Sequence, residues 1–286
     1  MENLNEILHR ARREGWAMPH FNISNLEILK AITEAALEAR SPLLIGTSEG
    51  EQNFLGLRQS VALVQSLREE YNMPFYLNAD HMYSVETAKR AVDAGYDSVH
   101  IDLSKKSLAE NTRGTKEVVE YARSKNPLIS VEGEIGYFVT DSSKVYKEAV
   151  EVPMESLAKP EEAVSFAEET KIDRLAPVIG GIHGVASNAA HLDIARIEEI
   201  SRVLPNTIFV LHGGSGDDPE EIRAAIKNGI SNVHISTDLR VAYVTALRAS
   251  IATEEYAPYK IMKPVVEAIM EIAIKNIRLF GSDNKV

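Results

Sequence analysis

Short apolar stretches alternate with longer amphipathic stretches along the whole chain, and this alternation constrains the fold more than any other feature of the sequence. The apolar stretches are five to eight residues long and rich in β-branched residues. Near-continuous apolar runs of this length are typical of parallel strands that are buried on both faces. Eight such strands are predicted, at residues 17–23, 42–48, 74–80, 98–102, 128–135, 174–179, 207–213 and 232–237.

The amphipathic stretches carry signals for the starts and ends of helices. Ser24 and Glu27 form a capping-box pattern ahead of apolar residues at helical spacing. Pro160 opens another helix, and Asp218 with Pro219 opens one that ends near Gly229. These signals predict a helix after each strand.

The alternation predicts one α/β domain. No segment rich in proline, glycine or serine interrupts it, so residues 1–286 are expected to form a single domain. Eight strand–helix units in this length favour a closed (β/α)8 TIM barrel over a doubly wound sheet. The G-x-G-x-x-G pattern of dinucleotide-binding folds does not follow the first strand, which weakens the second alternative.

Composition limits the partners and the metal chemistry. The formal net charge of −11 argues against a non-specific nucleic-acid or anionic-membrane binder, because both need a basic face. The chain has no cysteine, so a tightly bound transition metal must rely on imidazole and carboxylate ligands. Residues 1–5 carry no basic or apolar leader pattern, and no apolar run approaches about 18 residues. A cytoplasmic protein is therefore expected.

Histidines and carboxylates stand at the carboxyl ends of four predicted strands. In a barrel these ends share one mouth, however far apart they lie in the sequence. Three imidazoles with one open position form a catalytic zinc shell, whereas a single histidine is more often structural. The residues concerned are Asp80, His81, Glu132, Glu134, His183 and His212. One Zn²⁺ is predicted among the three histidines.

A glycine-rich turn follows the seventh predicted strand. Successive N–H groups in the turn formed by Gly213, Gly214, Ser215 and Gly216 make an anion-binding nest. Barrels of this kind frequently bind phosphate after strands seven and eight, and the eighth strand ends in Ser236 and Thr237. A phosphate site is therefore favoured over a plain strand–helix connection.

Residues 137–159, after the fifth predicted strand, show no clean periodicity. A loop of this length in a compact domain is often functional, and in a barrel it would lie on the catalytic face. The alternative is a simple surface excursion.

These motifs, taken in order, resemble the class II (metal-dependent) ketose-bisphosphate aldolases, which include fructose- and tagatose-bisphosphate aldolases. The resemblance runs from end to end. It covers Phe21-Asn22, Ser41-Pro42, Asp80-His81, residues 131–136, His183-Gly184, residues 212–216, residues 237–240 and residues 279–282.

The resemblance implies a (β/α)8 barrel in which His81, His183 and His212 hold Zn²⁺. It implies that Asp80 is the acid or base acting on the substrate hydroxyl and that Glu134 lies at an alternative metal position. It places Gly184, Gly213 and Ser215 on a substrate phosphate, and Asn22 and Ser48 along the pocket. A monovalent cation is a further candidate cofactor. Oligomers are usual in the family that the sequence resembles, and the helices after strands seven and eight are predicted to carry an outward apolar face. Both features favour a homodimer or homotetramer.

Several positions depart from the family pattern. Asn78 replaces a common histidine, Leu103 a glycine, Ser187 a lysine, and His234 an asparagine that holds the enediolate. The long loop lacks the family's Gly-Gly-x-Glu-Asp pattern, which leaves Asp141, Glu148 and Glu151 as candidates for the proton-abstracting base. Arg240 and Lys260 are candidate anion partners.

The predicted activity is the reversible aldol cleavage of a phosphorylated ketose, with fructose 1,6-bisphosphate the first choice. The products would be dihydroxyacetone phosphate and an aldehyde such as glyceraldehyde 3-phosphate. Three alternatives stay open: an aldolase for tagatose 1,6-bisphosphate, a metal-dependent isomerase or epimerase, and a non-catalytic barrel.

Overall fold

A computed structural model describes residues 2–186 and 191–286. Eight parallel strands close into a barrel in which each strand pairs with its neighbours along the sequence and the eighth strand pairs with the first. The strands are β1 Met18–Asn22, β2 Leu43–Ser48, β3 Phe75–Met82, β4 Ser98–Ile101, β5 Ser130–Ile135, β6 Arg174–Pro177, β7 Ile208–Leu211 and β8 Ile230–Ile235. All eight predicted strands are confirmed, with ends that shift by a few residues.

Helices follow the strands and cover the outside of the barrel. They are α1 Leu4–Glu14, α2 Leu26–Ala39, α3 Glu49–Leu55, α4 Leu57–Tyr71, α5 Val85–Ala94, α6 Leu108–Lys125, α7 Pro160–Thr170, α8 Ile194–Val203, α9 Pro219–Lys227, α10 Thr237–Ser250, α11 Pro258–Ile261 and α12 Lys263–Leu279. The outward side chains of the strands and the inward faces of these helices form the main apolar core, which includes Phe21, Phe166 and Phe209. The sequence prediction of a (β/α)8 TIM barrel is confirmed.

The starts of two predicted helices compare differently with the structure. Asp218 caps α9 and Pro219 is its first residue, as predicted. Helix α2 begins one residue later than predicted. Asn25, not Ser24, caps it and accepts a hydrogen bond from the Ile28 N–H. Asn25 also donates to the Tyr243 hydroxyl, a long-range contact that local sequence does not show.

Helix α1, which the strand–helix alternation does not predict, closes the amino-terminal end of the barrel. Its Leu4, Ile7 and Leu8 form a separate buried cluster with Trp16 and with the first residues of several strands, such as Met18. This end of the barrel is therefore sealed by apolar packing, and the carboxyl ends of the strands form the open end.

The inside of the barrel is unusually polar. Barrel interiors are normally filled by branched apolar side chains. Here fully or almost fully buried polar side chains point inward from most strands: His20, Asn78, Ser98, His100, Ser130, Glu132, Arg174, Asn232 and His234. Buried polar groups of this kind need partners, so the hydrogen-bond network described below is a requirement of the fold as well as of the site.

The outward apolar face predicted for the helices after β7 and β8 is found on only one of them. Helix α10 exposes Val241 and Val244. Helix α9 buries Ile222 and Ile226 and presents charged residues outward. Among the helices that the structure describes, none has the length and apolar character needed to cross a lipid bilayer.

Candidate active site

Asp80 and His81 are consecutive in sequence, yet both side chains lie in the barrel mouth. In a regular strand neighbouring side chains face opposite sides of the sheet. The pairing between β3 and β4 shifts register between Ala79 and Met82, and His81 has a φ of 53°, in the left-handed region. This irregularity at the end of β3 turns His81 inward beside Asp80.

The three histidines predicted to bind zinc meet in this mouth. The ring centroid of His81 lies 5.1 Å from that of His183 and 4.7 Å from that of His212, and the last two are 6.2 Å apart. Three imidazoles bound tetrahedrally to one ion at about 2.1 Å have centroids about 5 Å apart. The spacing of the rings is close to this value. Ligand atoms of His81 and His212 lie within 4.8 Å of one another together with those of Asp80 and His100, whereas His183 belongs to no such group among the described residues.

Carboxylates fix two of the three rings. His81 donates from Nδ1 to Asp102 Oδ2 at 2.8 Å, and His212 donates from Nε2 to Glu132 Oε1 at 2.7 Å. Each ring thus keeps its other nitrogen for an ion, because a carboxylate that accepts from one ring nitrogen fixes the orientation of the other, as in many metal sites. His183 instead stacks on the Phe138 ring, with centroids 4.0 Å apart.

The protonation of the histidines differs sharply in the metal-free protein. Burial lowers the pKa of His183 to about 3, helped by the charge of His81, and burial also lowers the pKa of His212. Although burial opposes it, Asp80 and Asp102 raise the pKa of His81 to about 10. His183 and His212 are neutral and ready to coordinate, whereas an ion at this site would replace the extra proton of His81.

Glu134 lies beside His81 at the edge of the mouth. Oxygen and nitrogen ligand atoms of His81, Asp102 and Glu134 lie within 4.8 Å of one another. Burial and the nearby Asp102 raise the pKa of Glu134 well above its ordinary value. A cation placed here would relieve that repulsion, which fits a second metal position.

Three further buried histidines surround this set, and sequence reasoning gave a role to only one of them, His234. The ring centroid of His100 lies 4.5 Å from that of His81 and 4.9 Å from that of His212. His20 stacks face to face on His234 with centroids 3.5 Å apart. The alternation of side chains along β1 and β4 could have identified His20 and His100. They stand two residues before Asn22 and Asp102, so each points to the same side of its strand as a residue of the mouth.

A buried ion pair lies next to the histidine cluster, inside the barrel. Arg174 and Glu132 are both fully buried, and Arg174 Nη1 lies 2.7 Å from Glu132 Oε2. Arg174 also donates to Ser130 Oγ at 3.1 Å and to Asn78 Oδ1 at 3.1 Å. Since Glu132 accepts from His212, Arg174 holds in place the carboxylate that orients this ring. Asn78 lies inside the barrel, away from the three histidines, as expected for a residue that is not a ligand.

Asp80 is held as a carboxylate with one oxygen tied and one free. Asn22 Nδ2 donates to Asp80 Oδ2 at 2.8 Å. Among the described residues Asp80 Oδ1 has no hydrogen-bond partner, and His234 Nδ1 lies 3.4 Å from it. Although burial opposes ionisation, the charge of His81 holds the pKa of Asp80 well below its usual range. A buried carboxylate with a free oxygen is suited to accept a proton from a bound hydroxyl.

The predicted phosphate residues line the same cavity. Ser215 Oγ accepts from the Ser236 and Asp238 N–H groups at 3.2 and 3.3 Å, so its own proton is free to donate. Helix α10 begins at Thr237 with its positive end at the cavity. The cavity is lined by Asn22, Ser48, Asp80, His81, His183, Gly184, His212, Gly213, Ser215, His234, Ser236 and Thr237, with Tyr83, Ser142 and Arg240.

Some predicted residues lie elsewhere. Gly214 does not line this cavity; it faces β8, where a Cβ atom at this position would lie 3.0 Å from Val233 and 3.2 Å from Ile235. Lys260 pairs with Glu255 at 3.1 Å, away from the mouth. Ser187 lies outside the described residues.

The loop over residues 137–159 reaches the mouth, as expected. Ser142 lines the main cavity, and Asp141 lines a neighbouring one together with Glu134 and Asp102. Glu148 and Glu151 are exposed and line neither cavity. Leu103 packs at Gly114 on α6, while the preceding Asp102 still accepts from Ser104 N and Oγ at 3.1 and 2.6 Å.

Known proteins match the chain over its length. The sequence profile described as "Fructose-bisphosphate aldolase class-II" matches residues 2–285. The fructose-bisphosphate aldolase of Geobacillus stearothermophilus is 38% identical over 288 residues, 99% of this chain and 98% of that protein. The Staphylococcus aureus enzyme of the same name is 35% identical over 290 residues, with the same coverage.

A solved structure matches the fold equally well. The crystal structure of the YdjI aldolase from Escherichia coli K12 aligns with a TM-score of 0.85 and 29% identity over 99% of this chain and 98% of that one. With the profile match over nearly the whole chain, these likenesses show that the protein belongs to the class II fructose-bisphosphate aldolase family of lyases.

Proposed function

We propose that this protein is a zinc-dependent aldolase that reversibly cleaves a phosphorylated ketose, with fructose 1,6-bisphosphate as the first candidate. The products are dihydroxyacetone phosphate and glyceraldehyde 3-phosphate. One observation carries the proposal: three imidazoles with ring centroids 4.7, 5.1 and 6.2 Å apart lie in one cavity with the Asp80 carboxylate and the glycine–serine turn after β7.

His81, His183 and His212 would hold the zinc ion, and Glu134 would serve an alternative position. When bound, the ion supplies a Lewis acid that stabilises the negative charge left on the ketone half of the substrate. The carboxylates Asp102 and Glu132 keep two of the imidazoles oriented for it.

The chain's own residues bind the substrate and move the proton. Gly184, Gly213, Ser215 and Thr237 receive the phosphate of the ketone half, and Ser236 borders them. Asp80 Oδ1 accepts the proton of the hydroxyl next to the bond that breaks. The electron pair of the broken carbon–carbon bond stays on the ketone half as an enediolate, and the other half leaves as an aldehyde.

A second proton must reach the enediolate. Of the loop carboxylates considered as its donor, Asp141 is the one that lines a cavity of the mouth, where it pairs with Lys144 at 2.6 Å. His234 stands in the place of an asparagine, but its Nε2 donates to Asn232 and its Nδ1 faces Asp80. Because this substitution could change which substrate hydroxyl configuration the cavity prefers, fructose and tagatose 1,6-bisphosphates are both assayed.

The experiment measures metal content and cleavage together. The purified protein is assayed for triose phosphate formation before chelation, after exhaustive chelation, and after zinc is restored. We expect one zinc ion per chain, loss of cleavage with the metal, and recovery with zinc. Full activity in verified metal-free protein would refute the proposal.

The same reaction mixtures separate the remaining alternatives. Conversion of the ketose into an isomer without triose phosphates would identify an isomerase or epimerase, and no conversion at all would favour a non-catalytic barrel.

We also propose a homodimer or homotetramer, supported by the exposed Val241 and Val244 of α10. Light scattering measures the mass of the assembly.

A further inference from the structure

Glu51, on the first turn of α3, makes more contacts than its place in a helix cap requires. Its side chain is 7% exposed. Its Oε2 accepts from Ser48 N at 2.8 Å while Ser48 Oγ accepts from Glu51 N at 3.5 Å, and this reciprocal pair is the capping box of α3. Oε2 also accepts from Ser48 Oγ at 3.0 Å. The capping boxes of α1 and α6 use Glu6 and Glu110 in the same way, but their hydrogen bonds are exposed.

The first additional contact of Glu51 leads to the catalytic carboxylate. Asn22 Nδ2 donates to Glu51 Oε2 at 3.2 Å and to Asp80 Oδ2 at 2.8 Å. An amide nitrogen carries two hydrogens, so both are directed to carboxylates. Glu51 thereby fixes which way the Asn22 amide faces, and Asn22 in turn leaves Asp80 Oδ1 as the free oxygen of the site.

The second additional contact leads to the loop over the mouth. Arg240 Nη2 donates to Glu51 Oε1 at 2.6 Å, and Arg240 Nη1 donates to the hydroxyl of Ser143 in the 137–159 loop. Ser143 N donates to Thr237 Oγ1 at 3.3 Å, at the edge of the proposed phosphate site. Arg240 therefore ties the loop to α3 across the cavity.

The charge of Glu51 is needed for all these contacts at once. Two oxygens of a carboxylate accept about four hydrogen bonds, whereas a glutamine offers one accepting oxygen and two donor hydrogens. Four donors converge on Glu51: Ser48 N, Ser48 Oγ, Asn22 Nδ2 and Arg240 Nη2. Since all four are donors, a glutamine would set its NH₂ group against one of them.

We propose that Glu51 is a positioning residue that links the placement of the 137–159 loop to the orientation of Asp80, through Arg240 on one side and Asn22 on the other. The proposal rests on the proposed function where it assigns Asp80 to the proton transfer and Thr237 to phosphate. The link to the loop itself is independent of the reaction.

The kinetic test uses Glu51→Gln and Arg240→Met. Arg240→Met breaks the contact with the loop and also removes a cation from the cavity lining, so we expect KM for the ketose bisphosphate to rise about tenfold while kcat falls less than in Glu51→Gln. Glu51→Gln disturbs both sides, so we expect the same rise in KM and also a fall of about 10- to 100-fold in kcat, because Asp80 is misdirected. In the double variant the two effects on KM should not add, since both act through one contact.

The matched control is Glu6→Gln, which weakens a capping box of the same type on α1, the helix that closes the amino-terminal end of the barrel, opposite the mouth. We expect it to lower the melting temperature slightly and to leave kcat and KM unchanged. A Glu51→Gln protein that differs from the wild type only in melting temperature, as this control does, would show a purely structural role and overturn the proposal.

A second measurement does not depend on substrate. Hydrogen exchange of loop residues 139–148 in the zinc-loaded protein should become faster in Glu51→Gln and Arg240→Met but not in Glu6→Gln. Unchanged exchange in the first two variants would overturn the link to the loop. If no variant or wild-type protein cleaves a sugar phosphate, the proposed function fails while the exchange result still decides this link.

Discussion

At the scale of single residues, the two oxygens of the Asp80 carboxylate have different surroundings. Oδ2 is tied to Asn22, whereas Oδ1 has no hydrogen-bond partner in the described part of the chain and faces His234. A ligand atom of Asp80 also lies within 4.8 Å of those of His81, His100 and His212. Because one oxygen of Asp80 is free, we predict that its carboxylate serves proton transfer and that the imidazoles hold the ion.

Asp80→Asn tests this division of roles. The amide keeps an oxygen for Asn22 but cannot accept the hydroxyl proton, so we expect zinc content to stay at wild-type level while kcat falls about 10²- to 10⁴-fold. Metal analysis and steady-state kinetics on the same preparation check both parts. Loss of zinc in this variant would instead place Asp80 among the ligands.

The buried pair of Arg174 and Glu132 gives a second prediction at this scale. Removing one partner of a fully buried pair leaves an uncompensated charge, which costs about 3–5 kcal/mol. We expect Arg174→Met to lower the free energy of unfolding of the metal-free protein by this amount in urea. Adding Glu132→Gln should restore part of the loss, because the stranded charge is then removed.

Lys89→Met is the surface comparison for Arg174→Met. Lys89 pairs with Glu117 at 2.7 Å, and both side chains are partly exposed. Such pairs contribute about 0–1 kcal/mol. A loss in Arg174→Met no larger than that in Lys89→Met would contradict the assignment of the buried pair as a support of the barrel interior.

At the scale of elements, the turn between β7 and α9 depends on its first glycine. Gly213 has a φ of 75°, and a Cβ atom there would lie 2.5 Å from the carbonyl oxygen of Ile182. Gly15, which ends α1, has nearly the same φ of 73° but no atom within 4 Å of its Cβ position. Comparing alanine substitutions at the two glycines therefore separates the cost of the left-handed backbone from the cost of steric crowding by neighbouring atoms.

We expect Gly15→Ala to lower the free energy of unfolding by about 1–2 kcal/mol, the cost of a left-handed residue with a side chain. Gly213→Ala should lower it further and should also raise KM, because the turn that forms the anion nest must move. Urea unfolding and kinetics measure the two effects. Equal losses of stability and an unchanged KM would show that the turn tolerates the methyl group.

The elements themselves could be predicted because their signals are local. Strands buried on both faces are apolar throughout, and Asp218 with Pro219 marks the start of α9 within a few residues. The exact cap of α2 could not be predicted, since Asn25 is also held by Tyr243 from a distant helix.

The site could be predicted only in part, for the same reason. His81, His183 and His212 carry recognisable neighbours in the sequence. The inward turn of His81 depends on a register shift between β3 and β4, which no local pattern encodes. His20, His100 and Arg174 gain their importance only from the barrel that brings them together, because each makes its contacts across the interior.

At the scale of the whole molecule, two tyrosines connect distant parts of the barrel through buried hydroxyls. Tyr76 on β3 donates to the Glu2 carbonyl oxygen at 2.6 Å, next to the α1 helix that closes the barrel. Tyr96 shares a hydrogen bond of 2.8 Å with Thr47 Oγ1 on β2. Burial raises the pKa of both hydroxyls above the ordinary tyrosine value.

A raised pKa in the folded state means that folding disfavours the tyrosinate form. The stabilising contribution is complete below the pKa of the unfolded chain, about 10, and is lost as the pH rises towards the folded value. Each tyrosine should therefore steepen the fall in unfolding free energy above pH 10 by up to about 1.4 kcal/mol per pH unit.

Tyr76→Phe and Tyr96→Phe should each make this fall shallower than in the wild type, measured by urea unfolding from pH 9 to 11.5. Tyr256→Phe, at a side chain that is 88% exposed, should leave the slope unchanged. If all three variants lost stability in parallel with the wild type, the alkaline sensitivity would arise from groups other than these two buried hydroxyls.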